Sequence, residues 1–539
     1  MNRKPNILLI LNDDMGYSDL GCFGGEIQSV HLDRLAANGI RFTQFYSTPR
    51  CSPTRASLLT GLHPHQTGIG ILTYDMGPEG YPGDLNKNCV TIAEVLKEAG
   101  YRTYLSGKWH VSKSLTEPTD SWPLQRGFDE FYGTIIGAGS FYYPSTLTRG
   151  NENIEHEAVE DEDFYYTDAI SDQAVRYIKE HHQKYPDRPF FLYTAYTAPH
   201  WPLHAREEDI AKYKGRFDKG WDKLREERMQ RMIEMGILDP SWKLSDRDPT
   251  QPAWEDAEHK EWLLRCMEVY AAQIDRMDQG IGRIIRALEE TGQLDDTLII
   301  FLSDNGACAE DIPPNVDPDD LVNNLMIAKP ATRKGEPMIF GNRPDVMPGA
   351  ENTYQSYGRA WANLSNTPFR YYKHWTHEGG IATPFIVHWP NGIKDEHKGS
   401  LNRTLGYLPD VMATIVDITG AEYPAEYKGN NILPLEGVSL LPAIRGETME
   451  RGPLFFEHEG NGMVRHGKWK LVKEYPGDWE LYDMEADRTE QHDLSKQYPE
   501  LVKSMSEQYE AWASRCGVIP REKILKLMEA GGKAFWESE

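Results

Sequence analysis

Short apolar runs that end abruptly in polar residues recur along this chain and set its architecture. Ile7-Leu8-Leu9-Ile10-Leu11 is apolar at successive rather than alternate positions, the pattern of a strand covered on both faces. It ends in Asn12-Asp13-Asp14. Thr297-Leu298-Ile299-Ile300-Phe301-Leu302 repeats the design and ends in Ser303-Asp304-Asn305-Gly306. Pro189 to Thr194, Tyr101 to Leu105 and Pro384 to His388 read as further strands, followed respectively by Ala198-Pro199-His200, by Ser106-Gly107-Lys108-Trp109-His110 and by a loop. Helical patterns lie between them at His31 to Gly39, Thr91 to Gly100, Thr167 to His182 and Glu261 to Glu290. In the last of these, Ala271, Ile274, Met277, Ile281 and Ile284 recur at helical spacing. Strands alternating with helices predict an α/β fold with a large, mostly parallel central sheet flanked by helices.

Near residue 445 the pattern changes. Leu454 to Glu457, Gly462 to Arg465, Trp469 to Lys473 and Glu480 to Tyr482 are short strand-like runs, followed by a helical stretch at Pro499 to Trp512. Residues 1–445 are therefore read as a catalytic domain and residues 446–539 as a smaller antiparallel sheet with a helix and a tail of no evident role. The charged Leu203 to Lys260 segment and the Pro-, Gly- and Asn-rich Cys308 to Asn366 segment are expected to form the rim of a site. There is no internal repeat.

Composition narrows the function. The 539 residues can bury a core without stapling, and the six scattered cysteines include no CxxC pair, which argues against a disulfide framework or a structural zinc site. A net charge of −25 disfavours nucleic acid and anionic membranes as partners. No apolar stretch reaches the length of a membrane span. The N-terminal apolar run is too short for a signal peptide, so a cytoplasmic location is expected, or a periplasmic one for a chain whose leader has been removed. Any anionic substrate must bind at a local positive island.

The candidate chemistry sits where the strands end. Open α/β sheets bind ligands at the carboxyl ends of their strands, and adjacent carboxylates there are costly without a cation. Asp13, Asp14, Asp304 and Asn305 together offer four hard oxygen ligands, which favours calcium, with magnesium or manganese as alternatives, over zinc. Cys51-Ser52-Pro53-Thr54-Arg55 precedes a short helix closed by Gly61; with Ser52 as the cap, Cys51 is expected just before an anion-attracting helix N-terminus. Cysteine phosphatases separate their cysteine and arginine by five positions, and here three intervene. In an extended segment Lys108 and His110 would face the same side. His200 and Lys373 are further candidates.

Cys51-Ser52-Pro53-Thr54-Arg55 resembles the Cys-x-Pro-x-Arg signature of the type I sulfatases, within the alkaline phosphatase superfamily. Gly100 to His110 looks like that family's second signature, and Asn12 to Gly16 and Ser303 to Gly306 look like its two metal-binding motifs. Pro199-His200 and Lys373 to Gly380 also fit, so the resemblance covers nearly the whole chain. It is strongest to bacterial arylsulfatases of the cysteine type. It implies that a formylglycine-generating enzyme converts Cys51 to Cα-formylglycine, whose hydrated form attacks the sulfur of a small-molecule sulfate ester. It implies metal ligation by Asp13, Asp14, Asp304, Asn305 and residue 51, with Asp304 also placed to take a proton. Arg55, Lys108 and Lys373 would neutralise sulfate, His200 would protonate the leaving oxygen, and His110 would be the base that expels sulfate. Two alternatives stay open: a phosphonate monoester or phosphodiester hydrolase of the same superfamily, and an unmodified, non-catalytic anion-binding homologue.

Overall fold

The computed structural model describes residues 4–530. The alternation that the first strand lacks in its sequence returns in three dimensions. In the Asn6–Asn12 strand, Ile7, Leu9 and Leu11 enter the core on one face of the sheet, and Leu8 and Ile10 enter the core on the other. A strand apolar at every position is what a two-faced core requires.

Asn6–Asn12 lies mid-sheet, hydrogen-bonded in parallel to Thr297–Ser303 on one side and to Phe190–Ala195 on the other. Arg102–Gly107 and then Glu130–Thr134 continue the parallel arrangement beyond Phe190–Ala195. On the opposite side Ala382–His388 runs antiparallel to both of its neighbours, Thr297–Ser303 and Ile40–Tyr46. The whole sheet has 11 strands. The Lys260–Glu290 helix, 31 residues long, packs with Tyr166–Lys184 on one face. Cys51–Thr60, Ile92–Glu98 and Pro409–Thr419 cover the other. The helix starting at Ile92 is closed by a capping box in which Thr91 and Glu94 satisfy each other's backbone amides.

Parallel pairing fixes which strand ends meet. Asn12 is level with Ser303, while Leu11 and Gly107 both pair with Ala195. Asp13, Asp304, Lys108 and the turn leading to His200 therefore leave the sheet at one edge.

The C-terminal part is a four-stranded antiparallel meander, Leu454–His458, Asn461–His466, Trp469–Lys473 and Glu480–Asp483, backed by the Pro499–Cys516 helix. The tail contains the Arg521–Ala530 helix. Two expectations fail. The 203–260 segment contributes no residue to the walls of the active-site cleft. Its Gly220–Glu234 helix is drawn away by Arg228, which is fully buried against Asp19 at 3.0 Å and also pairs with Glu26, while Trp221 and Trp254 pack on Trp361. His110 is not in an extended segment either. The strand ends at Gly107, and His110 has a left-handed φ of 55°.

A buried charge cluster ties the smaller sheet to the larger one. Glu378 accepts hydrogen bonds from Tyr46 (3.0 Å), Lys470 (3.0 Å) and Arg488 (2.9 Å), and its backbone amide donates to Glu490. Lys470 also pairs with Glu490 at 2.7 Å. Burial alone would raise the Glu378 carboxyl, but Lys470 and Arg488 hold it well below its ordinary 4.5. A depressed carboxyl stabilises the fold fully above its unfolded pKa, and that contribution is lost as the pH falls below about 4.5. Glu378→Ala, which strands Arg488 in the interior, is expected to cost about 3–5 kcal/mol in urea unfolding at pH 7. The gap between variant and parent should narrow as the pH is lowered.

Candidate active site

Cys51 is the first residue of the Cys51–Thr60 helix, not the residue before it, and the cap position is held by Arg50 in extended conformation. Ser52 does not cap the helix; its hydroxyl donates to the His110 carbonyl at 2.9 Å and anchors the turn that carries that histidine. The helix is buried along all ten residues and stops at Gly61, whose φ of 71° is left-handed. With 3.6 residues per turn, Arg55 lies on the same face as Cys51, one turn further in. Its guanidinium reaches Asp304 at 2.8 Å, Asp13 at 3.6 Å and the Lys108 carbonyl at 3.3 Å.

The other candidates converge on the same point. Lys108 Nζ donates to Asp13 Oδ2 at 2.5 Å, and Cys51 Sγ is 3.5 Å from His110 Nδ1. Lys373 Nζ lies 3.0 Å from Asp14 Oδ1 and 3.4 Å from His200 Nε2, and His200 Nε2 is 3.3 Å from Asp14 Oδ2. The opposite ring nitrogen, Nδ1, faces the Trp201 carbonyl at 2.6 Å, which assigns it the proton of the neutral ring. Asp14 adopts a left-handed φ of 67°, its amide donates to Asp304 Oδ1, and its carboxylate accepts from Asn305 Nδ2 at 2.7 Å. All ten residues proposed from sequence thus lie in one cluster.

Burial and charge bias each group. Burial pushes the Cys51 thiol up, and Lys108 and Lys373 offset this only in part, so the residue is a poor thiolate near neutral pH. His110 is held well below 6.5 by burial, with Lys108 and Arg55 adding to it, which leaves a neutral imidazole beside residue 51. His200 is lowered by burial and by Lys373, against the opposing pull of Asp14. Lys373 loses to burial but gains more from Asp14 and Glu310, and stays charged. For Asp13, burial is outweighed by Lys108, His200 and Arg55, and its carboxyl falls far below the ordinary range. Asp304 goes the other way: burial and the charge of Asp13 push it up.

That opposition is a test of whether a cation suits the site. Asp13 Oδ1 and Asn305 Oδ1 are buried oxygens with no hydrogen-bond partner. Ligand atoms of Asp13, Cys51 and Asp304 lie within 4.8 Å of one another, as do those of Asp13, Asp14 and His200. Orphaned hard oxygens beside carboxylates that repel one another fit a divalent cation of the calcium or magnesium type, which Asp13, Asp14, Asp304 and Asn305 would hold.

Cys51, His110, His200 and Lys373 of this cluster form the floor of a cleft of about 330 Å³. Its walls come from Leu72 to Asp75, Lys113, Leu115, Ile136 to Ala138, Trp201, Glu310, Asn324, Leu325 and Ile327. Part of the 308–366 segment thus reaches the rim as expected, whereas residues 72–75 and 136–138 carried no sequence signal. Glu310 was also missed. It accepts from Arg50 at 2.7 Å and from the Trp201 indole at 3.1 Å, and lies 3.9 Å from Lys373. Its position six residues past Asp304 matches no motif. If Asp304 is a ligand, Asp304→Ala should weaken divalent-cation binding measured by calorimetry by more than the roughly 10- to 100-fold typical of losing an outer partner. It should also abolish the rise in Tm that the cation gives the parent. An unchanged affinity takes Asp304 out of the ligand set.

Residues 5–421 match the Sulfatase family, and residues 369–515 match the family described as N-sulphoglucosamine sulphohydrolase, C-terminal. An uncharacterized sulfatase of Schizosaccharomyces pombe is 30% identical over 96% of this chain and 95% of its own length. An arylsulfatase of Klebsiella aerogenes is 33% identical over 81% of this chain and 91% of its own. Among solved structures, Ps i-CgsB in complex with k-i-k-neocarrahexaose superposes with a TM-score of 0.67 at 26% identity, covering 95% of this chain and 93% of that one. With a family match over most of its length and relatives aligned nearly end to end, this chain belongs to the sulfatase family.

Proposed function

We propose that this sulfatase is an arylsulfatase-type hydrolase that uses Cα-formylglycine made from Cys51 and a divalent cation, calcium in the first instance. The observation that carries the reading is the thiol of residue 51, unfavourably placed as a thiolate, at 3.5 Å from a neutral His110 and ringed by Arg55, Lys108 and Lys373. A site built for a cysteine nucleophile would lower that thiol's pKa. Here the surroundings suit the oxygen groups that oxidation would put in its place.

The hydrated aldehyde supplies two hydroxyls on one carbon, one to attack sulfur and one whose deprotonation expels sulfate and restores the aldehyde. The cation would be held by Asp13, Asp14, Asp304 and Asn305, and when bound it supplies charge for the sulfate oxygens and acidifies a hydroxyl on residue 51. Arg55 and Lys108, buried next to residue 51, neutralise charge there. His110 Nδ1, nearest residue 51, is the base for the second hydroxyl. At the other end of the site, His200 Nε2 and Lys373 Nζ share a hydrogen bond beside the cleft, and this pair delivers the proton to the leaving oxygen. The apolar walls, Leu72, Leu115, Ile136, Leu325 and Ile327 with Trp201, support an aromatic or alkyl alcohol as leaving group. Two cations on those walls, Arg50 and Lys113, are paired with Glu310 and Asp75.

Intact mass of active protein should show residue 51 lighter than cysteine by about 18 Da, the difference between a thiol carbon and a formyl group. The same sample should hydrolyse 4-nitrophenyl sulfate in preference to a 4-nitrophenyl phosphonate. Full activity from unmodified protein would falsify the formylglycine assignment. His200→Ala should slow alkyl sulfates by about 10²–10⁴-fold but 4-nitrophenyl sulfate, whose leaving group needs no proton, by less than about tenfold. Equal losses on both substrates would remove the pair's role as acid.

A further inference from the structure

The helix Arg521–Ala530 lies beyond both family matches, which end at residues 421 and 515. It nevertheless returns to the cleft. Ile524, 1% exposed, packs in an apolar cluster with Cys51, Ile71, Leu72 and Tyr81, and Met528, Ile519, Tyr74 and Met76 border the cluster. Polar contacts hold the same face. The Ile519 amide donates to the Tyr81 hydroxyl at 2.8 Å, Lys523 pairs with Glu79 at 3.1 Å, and Arg521 pairs with Glu459 at 3.1 Å.

What the helix touches is the back of a cleft wall. Residues 71–81 form no helix or strand, and their own backbone closure rests on the Met76 amide to Tyr81 carbonyl bond (3.0 Å) and the Gly80 amide to Gly77 carbonyl bond (3.1 Å). A loop with so few backbone bonds takes its shape from the side chains packed behind it. Leu72, Thr73, Tyr74 and Asp75 present their front to the cleft, and Leu72 and Tyr74 present apolar surface to the cluster around Ile524.

We propose that the Arg521–Ala530 helix sets leaving-group specificity by holding the 71–81 wall in place, with Ile524 as its positioning residue. This rests on the cleft being the sulfate-ester site. Ile524 shares its cluster with Cys51 but takes no part in the hydrogen bonds and ion pairs that fix the site, so its loss acts chiefly on the wall and on the alcohol portion of the substrate. Lys108, Arg55 and Lys373, which would grip the sulfate itself, are held by Asp13, Asp304 and Asp14 and owe nothing to the helix.

The experiment compares full-length Ile524→Ser, Ile524→Leu and Tyr81→Phe with the parent, using 4-methylumbelliferyl sulfate as a bulky substrate and inorganic sulfate as a competitive inhibitor. Ile524→Ser should raise KM for the bulky ester by about tenfold or more, with kcat and the sulfate inhibition constant within about twofold. Ile524→Leu should stay near the parent. Tyr81→Phe, which keeps the ring but loses the acceptor for the Ile519 amide, should shift KM in the same direction by about two- to threefold. Hydrogen exchange of residues 71–81 should quicken in Ile524→Ser, a readout that needs no turnover. An unchanged KM, an equal loss of sulfate affinity, or unaltered exchange at 71–81 overturns the proposal. If Ile524→Ser does not fold, Tyr81→Phe decides by the same KM and exchange criteria. A parent that hydrolyses no sulfate ester defeats the proposed function, while the exchange comparison still decides whether the helix holds the wall.

Discussion

Three carboxylates, Asp13, Asp14 and Asp304, are held almost without solvent contact at the edge of one sheet, and their mutual repulsion is the constraint around which the catalytic half is arranged. The parallel register leaves them no room to separate, since Asn12 and Ser303 pair directly and the residues that follow must share the same exit. Each neighbouring cation answers one of them: Lys108 takes Asp13, Lys373 takes Asp14, and Arg55 takes Asp304. The remaining imbalance, seen in the opposite displacement of Asp13 and Asp304, is what a divalent cation would absorb. Buried charge of this kind is weak evidence for stability but strong evidence for chemistry, because a fold selected for stability alone would place apolar groups there.

The residues that answer this repulsion were legible because they follow strands. A run such as Ile7 to Leu11 announces both a central parallel strand and, by its end, a functional address, and His200, Lys108 and Asp304 were found by that logic. What stayed hidden depends on where separate segments meet. Glu310 gains its meaning from Arg50 and Trp201, neither of which its own sequence neighbourhood specifies. The charged 203–260 stretch looked like a rim because charged irregular segments usually face solvent. Its Arg228 is instead fully buried and spends itself on Asp19 and Glu26. The error at His110 has a different origin: a strand pattern extrapolated three residues past Gly107 cannot foresee a left-handed turn.

The small sheet is more than an appendage. Glu378 sits five residues after Lys373 and accepts from Lys470 and Arg488 of the C-terminal part as well as from Tyr46 of the central sheet. The segment that carries the Lys373 ammonium to Asp14 is therefore pinned from both sides. The packing of the two sheets and the aim of one active-site cation are set by the same buried carboxylate.

The burial of Cys51 also carries a consequence for the order of events while the chain is being made. Arg55 meets Asp304 across 249 positions, and Lys373 meets Asp14 across 359. The ribosome releases the Cys51 segment long before the residues that neutralise and enclose it exist, and Ile524, which packs in the same apolar cluster, emerges later still. Contacts of such sequence separation form late. The nascent chain thus has a long interval in which the thiol is exposed, and the completed fold closes that interval.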